Sequence, residues 1–88
     1  MTVGDVLVLR FGAGTHTVVE FDKRNDWLNC DTGDPTSTEV CGSLGNANRG
    51  SARCRIPMEE VGVFYFGCSV LGHCSAGNMK LRVKVVAA

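Results

Sequence analysis

The hydrophobic pattern of the chain has period two. Over residues 80–85, Leu81, Val83 and Val85 fall on one side and Lys80, Arg82 and Lys84 on the other, which predicts a half-buried antiparallel strand. Val6, Leu7, Val8 and Leu9 form a compact apolar run ending at Arg10 and Phe11, short enough for a buried strand. Gly12, Ala13 and Gly14 then turn the chain. Over 15–21 the alternation puts His16, Val18 and Glu20 on one face and Thr17, Val19 and Phe21 on the other, with His16 at the strand's beginning. Residues 52–56 predict a short strand whose pairing Pro57 ends, and Glu59 and Glu60 sit on an exposed connection. A further strand over 61–66 delivers Cys68. No segment sustains a 3.6-residue period, so a β-sandwich is the economical architecture.

The stretches between these runs are polar. Asp22, Lys23, Arg24, Asn25 and Asp26 make a mixed-sign turn, read as a solvated loop without function; Trp27 and Leu28 anchor the next segment by packing. Residues 30–50 are rich in Gly, Asn and Ser and hold Pro35, Cys41 and Gly42, the irregular composition of a long loop.

Composition narrows the function. The 88 residues make one small domain, 1–88, and a chain this short buries only about 60 to 65% of the surface its unfolded form exposes. It calls for covalent staples. Nine basic residues balance nine acidic ones, and without a Lys/Arg cluster nothing predicts the phosphate binding of a nucleic-acid protein. Five cysteines are many for this length, and an odd number leaves one thiol for another use. Disulfides imply an oxidising compartment, so an extracellular protein is expected, secreted or on the outer face of the plasma membrane. No apolar run reaches membrane-spanning length and no leader pattern is visible; a membrane contact would need an anchor absent from this sequence.

The chemistry concentrates between Tyr65 and Met79. Cys68 ends an apolar run, His73 follows after four residues and Met79 after five more, just ahead of the last strand. Thiolate, imidazole and thioether are soft ligands, and trigonal His2Cys with a weak axial Met is the blue-copper electron-transfer arrangement. The second imidazole must be His16, the chain's one other histidine. A sandwich can close such a site from two distant segments.

The blocks Val3-Gly4-Asp5-Val6-Leu7-Val8-Leu9, His16-Thr17-Val18-Val19, Asp26-Trp27-Leu28-Asn29-Cys30 and Tyr65-Phe66-Gly67-Cys68, followed by Gly72-His73-Cys74, Gly77 and Met79-Lys80-Leu81, resemble the phytocyanins, plant-type blue-copper proteins of the cupredoxin fold. The resemblance covers most of the chain. It implies an all-β, cupredoxin-like Greek-key β-sandwich, one type 1 copper ion held by His16, Cys68 and His73, a weak axial ligand near Met79, and a disulfide from Cys30 to Cys74. Cys41 and Cys54 then remain for a second bridge.

Three departures stand out. The family carries another strand and connecting segment ahead of the block at Val3, whereas this sequence begins almost on it: either the chain is truncated, leaving a sheet edge open to a neighbour, or it is a shortened version. In the family the axial Met or Gln directly follows the glycine; here Asn78 follows Gly77 and Met79 comes one later. A one-residue bulge at Gly77-Asn78 would deliver Met79, the better partner for Cu(I); the alternative is Asn78. Leu71 stands where the family often has Pro.

The implied function is single-electron transfer between redox partners, with no enzymatic activity. Small redox donors and acceptors, or redox proteins, would dock transiently near His73 on an apolar collar of Val70, Leu71, Gly72 and the 12–14 turn, the carrier itself being a monomer. A metal-free secreted interaction module on the same sandwich is the alternative, against which the retained His16, Cys68 and His73 speak. A multicopper oxidase needs more histidines than the chain owns, and a cysteine hydrolase would need a base and oxyanion donors that the sequence does not indicate.

Overall fold

The computed structural model describes residues 1–43, 50–70 and 72–88. Two antiparallel sheets face each other. Strand β1 (Val6–Gly12) pairs with β4 (Ser51–Pro57) in one, and the other has the order β3-β2-β5-β6, from β2 (Val18–Phe21), β3 (Thr38–Cys41), β5 (Gly62–Gly67) and β6 (Lys80–Val85). A single helical turn, α1 (Arg24–Leu28), lies between β2 and β3. The all-β sandwich expected from the period-two pattern is therefore the fold.

Alternation explains the packing of each sheet. In β4, Ala52 and Cys54 are fully buried while Ser51, Arg53 and Arg55 are exposed. Opposite them Leu7, Leu9 and Phe11 of β1 turn inward, and the facing sheet contributes Val18, Phe66, Val83 and Val85. The core lies between these two sets. Met58, just beyond β4, completes it, and Met58 and Asp5 are tied by a backbone hydrogen bond that closes the strand pair.

The structure corrects the sequence reading at several places. The run 6–9 is not a buried strand: Val6 and Val8 are about 40% exposed, because β1 belongs to a two-stranded sheet and only one of its faces meets the core. The strand after His16 begins at Val18. Residues 24–28, at the end of the charged turn, wind into α1, which no long-range apolar period announced because the helix is one turn long and buries no residue completely. Within the irregular 30–50 stretch, residues 38–41 form β3 on the sheet's edge; paired on one side only, it needs no strong apolar alternation. Leu81 is 37% exposed because it borders the open cleft, whereas Val83 and Val85 on the same face of β6 reach the packed core.

One disulfide closes a short span of sequence and the other a long one, 13 and 44 positions. Cys41–Cys54 links β3 to β4 and so ties one sheet to the other; Cys30–Cys74 joins the segment after α1 to the loop ahead of β6. The lone free thiol is Cys68, which is buried.

Candidate metal centre

Three segments deliver the donor atoms to one end of the sandwich. Cys68 directly follows β5, whose pairing with β2 on one side and β6 on the other fixes it in depth. Its own N–H donates to the Met79 carbonyl at 3.1 Å. His16 arrives from the β1–β2 turn, where Gly14 takes the left-handed φ of 83° and the Thr15 hydroxyl donates to the Gly12 carbonyl at 2.6 Å. Phe11 packs edge-on against the His16 ring, centroid to centroid 6.0 Å. His73 sits in the loop that Cys74 pins to Cys30.

The three ligand atoms converge. His16 Nδ1 and His73 Nδ1 are 2.9 Å apart, Cys68 Sγ lies 3.9 Å from the first and 3.6 Å from the second. The point equidistant from all three lies about 2.0 Å from each, matching metal–nitrogen bonds of about 2.0–2.1 Å and slightly short of the ~2.3 Å of a metal–thiolate bond. One thiolate and two imidazoles at this spacing suit copper as a donor set. The residues present therefore fit the ion without rearrangement of the backbone. Because both rings face inward through Nδ1, each keeps its Nε2 on the far side of the ring.

Thr17 is a contributor that reading the sequence missed. Its hydroxyl accepts the Ser69 N–H at 2.8 Å, bonds the Ser69 hydroxyl at 2.6 Å and lies 3.9 Å from Cys68 Sγ. It thus stitches the His16 segment to the Cys68 segment. The one available signal was its place beside a candidate ligand.

The loop from His73 to Met79 is built by local hydrogen bonds. The Ala76 and Gly77 N–H groups both donate to the Gly72 carbonyl, and the Met79 N–H returns to the His73 carbonyl at 2.9 Å. Gly77 is required here: a Cβ would stand 2.8 Å from the His73 carbonyl oxygen. Asn78 follows with φ 55°, a left-handed conformation that Asn tolerates better than most residues. The kink at Asn78 comes immediately before β6, and the β5–β6 ladder itself stays in register. Met79 and Asn78 both line the cleft that opens onto Cys68 and His16. Of the expected apolar collar, Leu71 lies outside the described residues.

Lys80 anchors α1 to the site's other flank. Its ammonium donates to the Trp27 and Leu28 carbonyls at 3.3 and 3.2 Å and stands 5.1 Å from the Trp27 ring centroid. Helix-end carbonyls attract cations, so the residue read as solvent-facing is partly buried. A second cluster of possible ligands, Asp26, Asp31 and Asp34, is organised by protein groups. The Thr36 hydroxyl and N–H both donate to Asp34, pulling its carboxyl down to about 2, while loss of hydration and the neighbouring Asp34 push Asp26 upward. Lys23 adds an ion pair to Asp34 at 3.6 Å.

Comparison with known proteins agrees with the geometry. The profile of the plastocyanin-like domain family matches residues 1–78. The chain is 42% identical over 97% of its length to a blue copper protein of Pisum sativum, and 40% identical over 97% to uclacyanin-2 of Arabidopsis thaliana; it spans 39% and 37% of those two proteins. Among solved structures, cucumber stellacyanin in its Cu2+ form superposes with a TM-score of 0.76 at 31% identity, over 99% of this chain and 70% of that one. With both histidines and the one free cysteine gathered at the end of a two-sheet sandwich, the chain belongs to the plastocyanin-like family of blue-copper proteins, as a phytocyanin.

Proposed function

We propose that this chain carries single electrons between redox partners, using one copper ion held by His16, Cys68 and His73 with Met79 as the weak axial ligand. The observation that carries the reading is the convergence of one buried thiol and two imidazoles within 3.9 Å of one another. Copper bound there supplies a one-electron couple, Cu(II)/Cu(I), whose two states accept closely similar ligand geometry. The protein's part is to keep that geometry fixed. Cys68 is held between β2 and β6, His16 by the turn hydrogen-bonded through Thr15, and His73 by a disulfide-pinned loop, so little must move when the electron arrives.

His73 is the exit. It is partly exposed on a loop in which its N–H donates to the Val70 carbonyl, and this loop offers a small surface suited to brief docking of a small redox molecule or a redox protein. Met79 is preferred over Asn78 for the axial role because a thioether suits Cu(I) better than an amide, and because its backbone is fixed to both ligand segments, by its N–H to His73 and its carbonyl to Cys68. The two disulfides favour an oxidising, extracellular setting; among the described residues no helix is long and apolar enough to cross a membrane.

The test is a Cu(II) titration read by visible absorption and EPR, beside Cys68→Ser. An intense blue charge-transfer band with small copper hyperfine splitting, lost in the variant, is the expected result. A colourless protein, or an ordinary tetragonal spectrum that ignores the variant while the fold stays intact, overturns the carrier reading. Met79→Leu and Asn78→Ala then separate the axial candidates: the true ligand's variant shifts the reduction potential and the EPR rhombicity, and the other leaves both unchanged.

A further inference from the structure

We propose that the Thr17 hydroxyl is the hydrogen-bond donor to the Cys68 thiolate, aimed there by Ser69, and that through this bond it raises the reduction potential of the site. Resting on the copper site proposed above, this role belongs to a side chain that is no ligand. The sheet itself sets the two residues together. The β2–β5 register places Val19 opposite Gly67, and continued two residues outward it sets Thr17 across from Ser69. Thr17 follows one ligand and Ser69 the other, and branching at Cβ restricts how the threonine side chain can turn.

A hydroxyl has one proton to give and two lone pairs with which to accept. At Thr17 the Ser69 N–H fills one lone pair at 2.8 Å, and the Ser69 hydroxyl, 2.6 Å away, is placed to fill the other. With both taken by Ser69, the Thr17 proton is directed elsewhere. Cys68 Sγ, 3.9 Å from Oγ1, is the acceptor within reach. That separation is at the long end for a sulfur acceptor, so charge rather than close contact selects the direction: a thiolate draws a proton more strongly than a neutral serine oxygen does.

The sulfur has little else to turn to. Among the described residues its hydrogen-bonding neighbours are His16 Nδ1 at 3.9 Å, His73 Nδ1 at 3.6 Å and the Thr17 hydroxyl. Once the two Nδ1 lone pairs are given to a metal, neither nitrogen can donate, because the one proton of each neutral ring then sits on Nε2. Thr17 is left as the donor. Cys68 is only 4% exposed, so water competes little for the sulfur and the bond acts in poorly screened surroundings. A donor on the sulfur withdraws electron density from it. The thiolate then gives less to Cu(II), and the more electron-rich reduced state is favoured, in line with the tuning of such sites by hydrogen bonds around the cysteine sulfur. The proton stays on Oγ1 throughout; one electron enters and no O–H bond breaks.

Thr17→Val keeps the branched shape and removes the hydroxyl, and Thr17→Ser restores it. Copper-loaded chains are compared by reduction potential and visible spectrum, and copper-free chains by hydrogen exchange of the Ser69 amide. In Thr17→Val the ratio of Cu(I) to Cu(II) affinity should fall about tenfold, which is a potential lower by about 59 mV. The charge-transfer band should move to longer wavelength and the Ser69 amide should exchange faster; Thr17→Ser should reverse all three. Because Ser69 is exposed, water can take over its N–H and the valine variant should fold. If it does not, Thr17→Ala makes the same deletion and decides. A merely structural stitch would quicken exchange in the valine variant without moving the potential, and that result overturns the inference. So does a potential that rises in Ser69→Ala, which would show the Thr17 proton resting on the serine. A wild-type chain without a blue band overturns the copper reading and this inference together, whereas a blue chain whose potential ignores Thr17→Val overturns this inference alone.

Discussion

Replacing both Cys30 and Cys74 by alanine tests whether the ligand loop is held chiefly by covalent restriction of the unfolded chain. Both must go, since a single replacement leaves a second free thiol beside the one the chain already has at Cys68. The bridge spans 44 positions, and loop-closure entropy for that span corresponds to about 4 kcal/mol at 25 °C. Cys74 is buried, so the missing sulfur adds a small packing loss on top. A chain of 88 residues has a total stability of roughly 4 to 13 kcal/mol, so the variant stands near the threshold of folding. Urea unfolding followed by Trp27 fluorescence measures it, with the m-value expected to rise because the unfolded chain is freed to expand. At low temperature the folded fraction should still bind copper, because the loop's own hydrogen bonds to Gly72 and His73 remain. A loss below ~1 kcal/mol with an unchanged m-value refutes the entropic account. Full stability with an abolished copper spectrum would refute it from the other side, by showing that the bridge acts on the folded loop.

The remaining predictions probe the supports of the site. Gly77→Ala forces a Cβ to within 2.8 Å of the His73 carbonyl, and since that contact is backbone, the loop must shift; a weakened copper affinity and a broadened charge-transfer band are expected, and an unaltered spectrum would contradict the close approach. Lys80→Met removes the cation bonded to the Trp27 and Leu28 carbonyls and should cost about 1–3 kcal/mol, seen as a lower thermal midpoint with the copper spectrum retained. Asp34 has its carboxyl lowered to about 2 by the Thr36 hydroxyl first and the Thr36 N–H second. Its contribution is present above the ordinary carboxylate value of about 3.9 and is lost as pH falls toward 2. Asp34→Asn should therefore flatten the acid limb of the urea midpoint between those pH values, and an equally steep limb in the variant would refute the assignment.

Much of the site was legible because its chemistry is carried by scarce residues. Two histidines and an odd cysteine leave few combinations, and the structure brings His16, Cys68 and His73 together. The strands were legible wherever one face is buried, as in β4 and β6, because burial imposes alternation. Thr17 escaped notice because a hydroxyl that accepts one backbone N–H has no pattern of its own, and α1 escaped because one turn is shorter than the period that would reveal it.

The sequence by itself determined the sandwich class, the candidate donors His16, Cys68 and His73, and the assignment of one cysteine to a separate role, since these depend on residue type and on which residues are scarce. Only the tertiary structure decided that β1 has one face in solvent, that Asn78 kinks the chain ahead of β6, and that Lys80 turns in to close α1. Each of these depends on what lies across from a residue in space. Pairing partners and sheet order are set by the summed packing of segments far apart in the chain, which no local period records.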